Sequence, residues 1–495
     1  MIFPSDRLGS VTVHAADRSW SGAEIARAAS KRSGALREAG IGPDDRVILW
    51  QPGSGEFVAD LLAVWAAGAA AVVLNPGLMP DEIDRIAGHV SPKAVLVAGG
   101  SDGAGARLGV PIFDFKAGIV PESEAGGAGR PPSLDDAALI LFTSGTTGTP
   151  KGVVHTFRSL VARLALNEAF IGPRDMAKTL CTLPTHFGHG LIGNCLTPLL
   201  CGGDVILISG NDVRTVAQLG EIVDAYGATF MSSVPALWQL ALKMSAPPSG
   251  ATLRRVHVGS APLSAALWSR IIGWAGTRNV VNMYGITETA NWIGGASAVD
   301  FTPEDGLVGR VWGGKAAILG GDGALLSRGE GEIVIQCPTL MAGYFRLDEL
   351  TADVLRDGWF HTGDLGRIDD GVLRLTGRAK HEINRAGLKV HPEDIDLLLE
   401  RHEGVVEACA FGAPDPVVGE IVCVAVVLEQ DRGLDEIRAW CAERLVREKN
   451  PDKWFVVDAI PKTDRGKIDR HAVAAACSQQ LASPSIADMK SGDSD

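Results

Sequence analysis

The sequence has no C-x-x-C pair, and only eight cysteines in 495 residues. So few cysteines exclude a disulfide scaffold, and the missing pairs argue against a structural zinc site, so a reduced, cytoplasmic protein is expected. Long apolar runs are also missing. The longest, Leu61 to Leu74, has 14 residues, short of the roughly 20 that span a bilayer. A buried helix running into a strand is expected there. The N-terminal residues show no basic region leading into an apolar stretch, so no signal peptide is expected. Positive charge is in deficit: 46 Lys and Arg stand against 59 Asp and Glu, a net charge of −13. That argues against a nucleic-acid surface, which needs a clustered basic face. No internal repeat is present.

What is abundant is glycine, 60 residues, within an ordinary hydrophobic content of 46%. A chain this long exceeds one core, so more than one domain is expected. From Ser21 to about Gly100, helical spacing ("AEIARAASKRSGALREAG") alternates with short apolar strands ("DRVILW", "AAVVLNP", "KAVLVAG"). The rhythm returns in "GDVILIS", a helix over "RTVAQLGEIVDAYG", and "ATFMSSVP". Such alternation predicts α/β layers with parallel strands. After Gly306, short strands with tight turns predict a β-rich, more antiparallel region. From His391 a small α+β unit follows. The predicted domains are 1–379, 380–477 and a disordered tail, 478–495.

The stretch "LFTSGTTGTPKGVVH", Leu141 to His155, holds three glycines, five hydroxyls and one lysine after a strand-like run. Glycines let successive N–H groups turn inward around anionic oxygens. Thr143, Ser144, Thr146 and Thr147 add hydroxyls, Gly145 adds backbone freedom, and Lys151 adds a point charge suited to phosphate. The loop is therefore expected to hold a polyphosphate. It is not a Walker A loop, because Pro150 precedes the lysine and Gly152 follows it.

This loop resembles the phosphate-loop signature of the adenylate-forming superfamily: acyl-CoA synthetases, peptide-synthetase adenylation domains and luciferases. "VGSAPL" (Val258–Leu263), "NMYGITET" (Asn282–Thr289), "GWFHTGDLG" (Gly358–Gly366), "LTGRAKHEI" (Leu375–Ile383) and "PKTDRGKIDR" (Pro461–Arg470) resemble its further signatures, in the same order. The resemblance implies a large N-terminal α/β domain with a β-rich subdomain, and a small mobile C-terminal domain. It implies an ATP-dependent carboxylic acid–CoA ligase using ATP, Mg²⁺ and coenzyme A on a small aromatic or medium-chain carboxylate. A thiol on a separate carrier protein is the alternative acceptor, and a non-catalytic nucleotide-binding regulator is a further alternative.

The resemblance also implies residue roles. Gly259, Ser260, Ala261 and Pro262 flank adenine, with Asn282, Met283 and Gly285 opposite and Tyr284 stacked on the ring. Thr287 contacts the α-phosphate, and Glu288 holds Mg²⁺. Asp364 and Arg378 hold the ribose, and Lys389 belongs to the nucleotide set. Lys380 is the hinge. Gly387 lets the pantetheine pass, although Ala386 stands where many relatives have a second glycine. Lys467 is the adenylation lysine. In "LPTHFGHGLIG" (Leu183–Gly193), His186, Phe187 and His189 are expected to line the acyl pocket with Trp238 and Gly294. A metal bound by His186 and His189 is the weaker alternative, since Gly188 weakens a helix between them.

Overall fold

The computed structural model describes residues 6–99, 108–121, 130–143, 151–208, 213–385, 388–415, 419–430, 432–445, 449–463 and 466–481. Ser144, Gly145, Thr146, Thr147 and Gly387 lie outside these residues, as do the side chains of Thr143, Lys380 and Lys389. The fold is mixed α/β, with a large N-terminal region of sheets and helices and a small C-terminal α+β domain.

A seven-stranded sheet is built around the parallel strands Arg46–Leu49, Ala70–Val73, Ala94–Leu96 and Ala137–Thr143. Their short, mostly apolar sequences suit burial on both faces. The helix Gly55–Ala67 packs between layers and is buried nearly all round. Ser54 caps its start by accepting from Phe57 N at 3.1 Å, and Gly68 ends it at φ +93°, where a Cβ is unfavourable. The 14-residue apolar run is thus a buried helix followed by the strand Ala70–Val73, as expected.

The larger sheet runs parallel through Lys178–Cys181, Phe230–Ser233, Arg255–Val258 and Val280–Ile286. It then turns antiparallel through Asn291–Ser297 and Leu307–Val311 to the hairpin Trp359–Asp369 and Val372–Arg378. The switch comes one hairpin earlier than Gly306. The cause is local: a 3-10 turn at Thr287–Thr289 is followed by Ala290 at φ +56° and Asn291 at φ +112°, which reverse the chain.

One predicted helix differs from expectation. The helix over "RTVAQLGEIVDAYG" is broken into Val213–Ala217 and Leu219–Tyr226. Gly220 causes this: its N–H donates to Ser245 Oγ at 3.1 Å, and an added Cβ would lie 2.1 Å from the Ala246 carbonyl. The next helix, His189–Leu196, begins only after Gly188, so His186 and His189 do not share a helix, as expected.

The small domain carries a sheet of Leu388–Val390, Ile383–Arg385, Gly419–Leu428, Val405–Asp415 and Lys453–Val456. Its helix Pro392–Leu399 packs on Val405–Asp415. Among the described residues, no helix is long and apolar enough to cross a membrane.

Candidate active site

Hairpin register makes the first part of the site. Trp359–Asp369 and Val372–Arg378 pair so that Asp364 stands opposite Arg378. Arg378 Nε lies 2.6 Å from Asp364 Oδ1. Tyr284 arrives on the neighbouring strand Val280–Ile286, and its hydroxyl donates to Asp364 Oδ2 at 2.6 Å. Burial and the Asp364 carboxylate push the Tyr284 phenol well above its ordinary range, so it remains a donor. A hairpin and a strand 80 residues before it in sequence therefore meet at one carboxylate.

These residues line a cavity of about 350 Å³ with Ser260, Ala261, Pro262, Met283 and Gly285. Asn282 also borders it and donates from Nδ2 to the Leu307 carbonyl at 2.7 Å, which ties the parallel half of the sheet to the antiparallel half. Gly259 sits behind this wall: an added Cβ would lie 3.1 Å from the Met283 carbonyl. Ser260 holds φ +68°, a strained value for a residue with a Cβ.

A second cavity, of about 390 Å³, shares Ser260, Met283, Gly285 and Ile286 with the first. Leu183, Phe187, Leu237, Leu240 and Trp292 give it apolar walls, with His189 and Asn291 among its polar residues. Thr287 lines it at the shared end. Lys467 lines both cavities. It follows the loop turn in which Gly466, at φ +71°, donates to Thr463 O, and Thr463 N donates to Lys467 O, both at 2.8 Å.

Glu288 and Lys151 converge on Tyr344. The Tyr344 hydroxyl donates to Glu288 Oε1 at 2.8 Å, and Lys151 Nζ lies 5.8 Å from the ring centroid. Among the described residues no cluster of three His, Cys, Asp or Glu could hold a metal. A single oriented carboxylate suits Mg²⁺, which keeps waters and takes its other ligands from phosphate.

The family described as AMP-binding enzyme matches residues 6–345, and the AMP-binding enzyme C-terminal domain matches residues 394–467. The chain belongs to the AMP-binding enzyme family. Among relatives of this AMP-binding enzyme, the sulfoacetate–CoA ligase of Cupriavidus necator is 32% identical over 454 residues, 87% of each chain. A feruloyl-CoA synthase from an Amycolatopsis species is 33% identical over 469 residues, 90% of this chain and 91% of the other. The ATP-bound crystal structure of MatB from Rhodopseudomonas palustris superposes with a TM-score of 0.85 at 26% identity, covering 95% and 96% of the two chains.

Three expected acyl-pocket residues of the AMP-binding enzyme lie elsewhere. Trp238 is wholly buried in the core, donating to Ser233 Oγ at 2.7 Å and packing edge-on against Trp274. Gly294 faces the adjoining strand, where an added Cβ would lie 3.3 Å from the Arg310 carbonyl, so its small size serves strand packing. His186 packs on the Phe187 ring at 4.1 Å and does not border the cavity. Of the expected set, Phe187 and His189 line it. His189 cannot share a metal with His186, because both its nitrogens are engaged: Nδ1 with Ser260 Oγ at 2.8 Å and Nε2 with Ser232 Oγ at 2.6 Å.

Two positioning residues escaped the sequence reading. His155 ends the glycine-rich stretch, and its Nε2 donates to the Thr287 carbonyl at 2.8 Å. Arg163, one helix further on, donates to the Thr289 carbonyl at 3.2 Å and to Thr339 Oγ1 at 2.6 Å. Together they hold the Thr287–Thr289 turn from behind. No periodicity marks either residue; only a buried cationic side chain in the helix Phe157–Ile171 hinted at it.

The buried histidines are neutral, which gives a pH prediction. Burial lowers His155 to about 4, and burial with the Lys467 charge lowers His189 to about 3. Both folded values lie below the unfolded value near 6.5, so each histidine takes up a proton on unfolding at lower pH. Stability from this source is complete above pH 6.5 and is lost as pH falls towards 4. At pH 5 the loss is about 2 kcal/mol per histidine. Thermal unfolding followed from pH 7.5 to pH 5 should show Tm falling, with a shallower slope in His189→Gln. An equal slope in both proteins would refute the assignment.

Proposed function

We propose that this enzyme joins a carboxylic acid to coenzyme A at the expense of ATP, forming an acyl-adenylate and then a thioester. One observation carries the reading: two cavities share a wall at Ser260, Met283, Gly285 and Ile286, the second is walled largely by apolar side chains, and Lys467 lines both. The AMP-binding family assignment and the CoA-ligase relatives support it. A carboxylic acid, in the aromatic or medium-chain range, sits in the apolar cavity with its carboxylate at Lys467. ATP occupies the other cavity, its ribose diol on Asp364 and Arg378 and its adenine between the Ser260–Pro262 turn and Tyr284.

Lys467 then contacts both the attacking carboxylate oxygen and the α-phosphate, so that two anions approach without repulsion. Thr287 donates to the α-phosphate from its turn, whose carbonyls His155 and Arg163 hold still. Lys151 and the Ser144–Thr147 loop take the outer phosphates. Mg²⁺, when bound at Glu288, neutralises phosphate charge; Tyr344 orients the Glu288 carboxylate. The attacking oxygen forms the bond to phosphorus, and pyrophosphate leaves. The thiol of coenzyme A next attacks the acyl carbonyl and AMP leaves. We place the joint between the domains at Lys380, with Gly387 beside the pantetheine path, and the enzyme in the cytoplasm.

A panel of carboxylic acids, assayed for AMP release with coenzyme A and with a holo-carrier protein, tests the reading. Dependence of AMP release on one acid class and on coenzyme A supports it. ATP binding with no AMP release for any acid would instead favour a nucleotide-binding regulator. Within this reading, Phe187→Ala should change the ranking of acids by kcat/KM by about 10-fold or more, through lost apolar contact, with little change in the KM for ATP. An equal loss for all acids would place Phe187 outside the acyl site.

A further inference from the structure

A chain of three polar side chains ends on the wall that the two cavities share, and its direction can be read. His189 Nε2 lies 2.6 Å from Ser232 Oγ, and Nδ1 lies 2.8 Å from Ser260 Oγ. The ring is neutral, because burial and the Lys467 charge lower it to about 3. One ring nitrogen therefore donates and the other accepts. Ser232 decides which. It is wholly buried on the strand Phe230–Ser233, and among the described residues His189 is the one partner of its hydroxyl. A buried hydroxyl hydrogen without an acceptor is costly. Ser232 therefore donates to Nε2, the ring proton stands on Nδ1, and Nδ1 donates to Ser260 Oγ. Ser260 accepts at its oxygen and keeps its own hydrogen to give.

Ser260 borders both cavities and is partly exposed. Its partner His189 borders the apolar cavity and not the other, so the Ser260 hydroxyl lies on the acyl side of the shared wall. The backbone of Ser260 is held at φ +68°, a strain that persists where the surroundings impose it and that gathers at functional sites. Lys467 lines the same junction from the small domain, whereas Ser232, His189 and Ser260 all lie in the large one.

Given the ligase reading above, we propose that the Ser260 hydroxyl is a catalytic donor to the acyl oxygen, aimed by His189 and Ser232 as positioning residues. In the first step it holds the carboxylate oxygen that does not attack phosphorus. In the adenylate that oxygen is the acyl carbonyl. The coenzyme A thiolate, its proton released to water, then bonds to the acyl carbon, and the carbonyl electron pair moves onto the oxygen that Ser260 holds. A fixed donor is worth most where charge develops. The pair returns as the bond from carbon to the phosphate oxygen breaks, and AMP leaves with the bonding electrons. Ser260 remains in place for this step because it does not travel with the small domain.

The test uses phenylpropanoyl-sulfamoyl adenosine, which keeps the acyl carbonyl and cannot turn over, with AMP as its control. In Ser260→Ala, and in Ser260→Gly, which tolerates the positive φ, affinity for the sulfamoyl adenosine by calorimetry should fall about 10-fold. Affinity for AMP should stay within about 2-fold. Thioester formation from synthetic phenylpropanoyl adenylate and coenzyme A should slow by about 100-fold. Nitrogen NMR of protein labelled at histidine, with the His189 signals assigned by their loss in His189→Gln, reads the chain directly. The wild type should carry the proton on Nδ1, and Ser232→Ala, which removes the donor that fixes the ring, should show a mixture of both forms. A proton on Nε2 in the wild type, or no difference between the two ligands in the Ser260 variants, would overturn the proposal. The expected affinities and NMR signals without AMP release from any acid would sink the ligase reading and leave the Ser260 donor standing.

Discussion

Lys467→Ala is expected to abolish adenylate formation from acid and ATP, by at least about 100-fold, while still converting a supplied acyl-adenylate to thioester. The reason is spatial. Lys467 belongs to the small domain and lines both cavities, together with residues of the large one. In this arrangement it stands where the carboxylate and the α-phosphate meet, and its charge already reaches His189. The same closure covers the junction from which a thiol has to approach the acyl carbonyl. On the proposed mechanism the small domain is expected to turn away before thioester formation, taking Lys467 with it.

The turning point is expected at Lys380, in the 3-10 turn Ala379–His381. On the far side of that residue, His381 Nδ1 lies 2.8 Å from Glu393 Oε1, which ties the turn to the small domain's own helix. Rotation is thus absorbed at or before Lys380. Lys380→Pro fixes φ there and should spare adenylation but slow the second step. Both half-reactions, run on both variants with a synthetic adenylate, decide the matter. If folded Lys467→Ala lost them equally, the division of labour would be wrong.

Asp364→Ala should weaken ATP and AMP together by roughly 30- to 150-fold, the worth of about 2–3 kcal/mol for a pair of charge-assisted hydrogen bonds. The structure adds a second consequence. Asp364 is also the partner of Tyr284 and Arg378, so its removal leaves a buried phenol and a guanidinium without their carboxylate. Tyr284→Phe separates the two effects, because it loses only the bond that orients Asp364 and keeps the diol acceptor. It should therefore cost much less nucleotide affinity than Asp364→Ala. Calorimetry showing unchanged affinity for both nucleotides in Asp364→Ala would end the ribose assignment.

Most of the residues expected at the nucleotide share one cavity, and they were legible because they sit in short contiguous segments. The "VGSAPL" turn, "NMYGITET" and "TGDLG" each bring several neighbours to one cavity, and Asp364 and Arg378 lie on adjoining strands of one hairpin. The acyl site was read less well. Trp238 was expected in the pocket, but its helix places it inward against Trp274 and Ser233. Gly294 looked like room for substrate, yet its missing side chain serves a strand crossing.

By itself, then, the sequence determined the α/β layering and the family, because apolar periodicity and motif spacing are local properties. Only the tertiary structure decided which side chains share a wall. His155 and Thr287 are 132 residues apart, Tyr344 and Glu288 56, and Tyr284 and Asp364 80. Side chains at such separations meet through sheet register and layer packing, and no local pattern along the chain records that meeting.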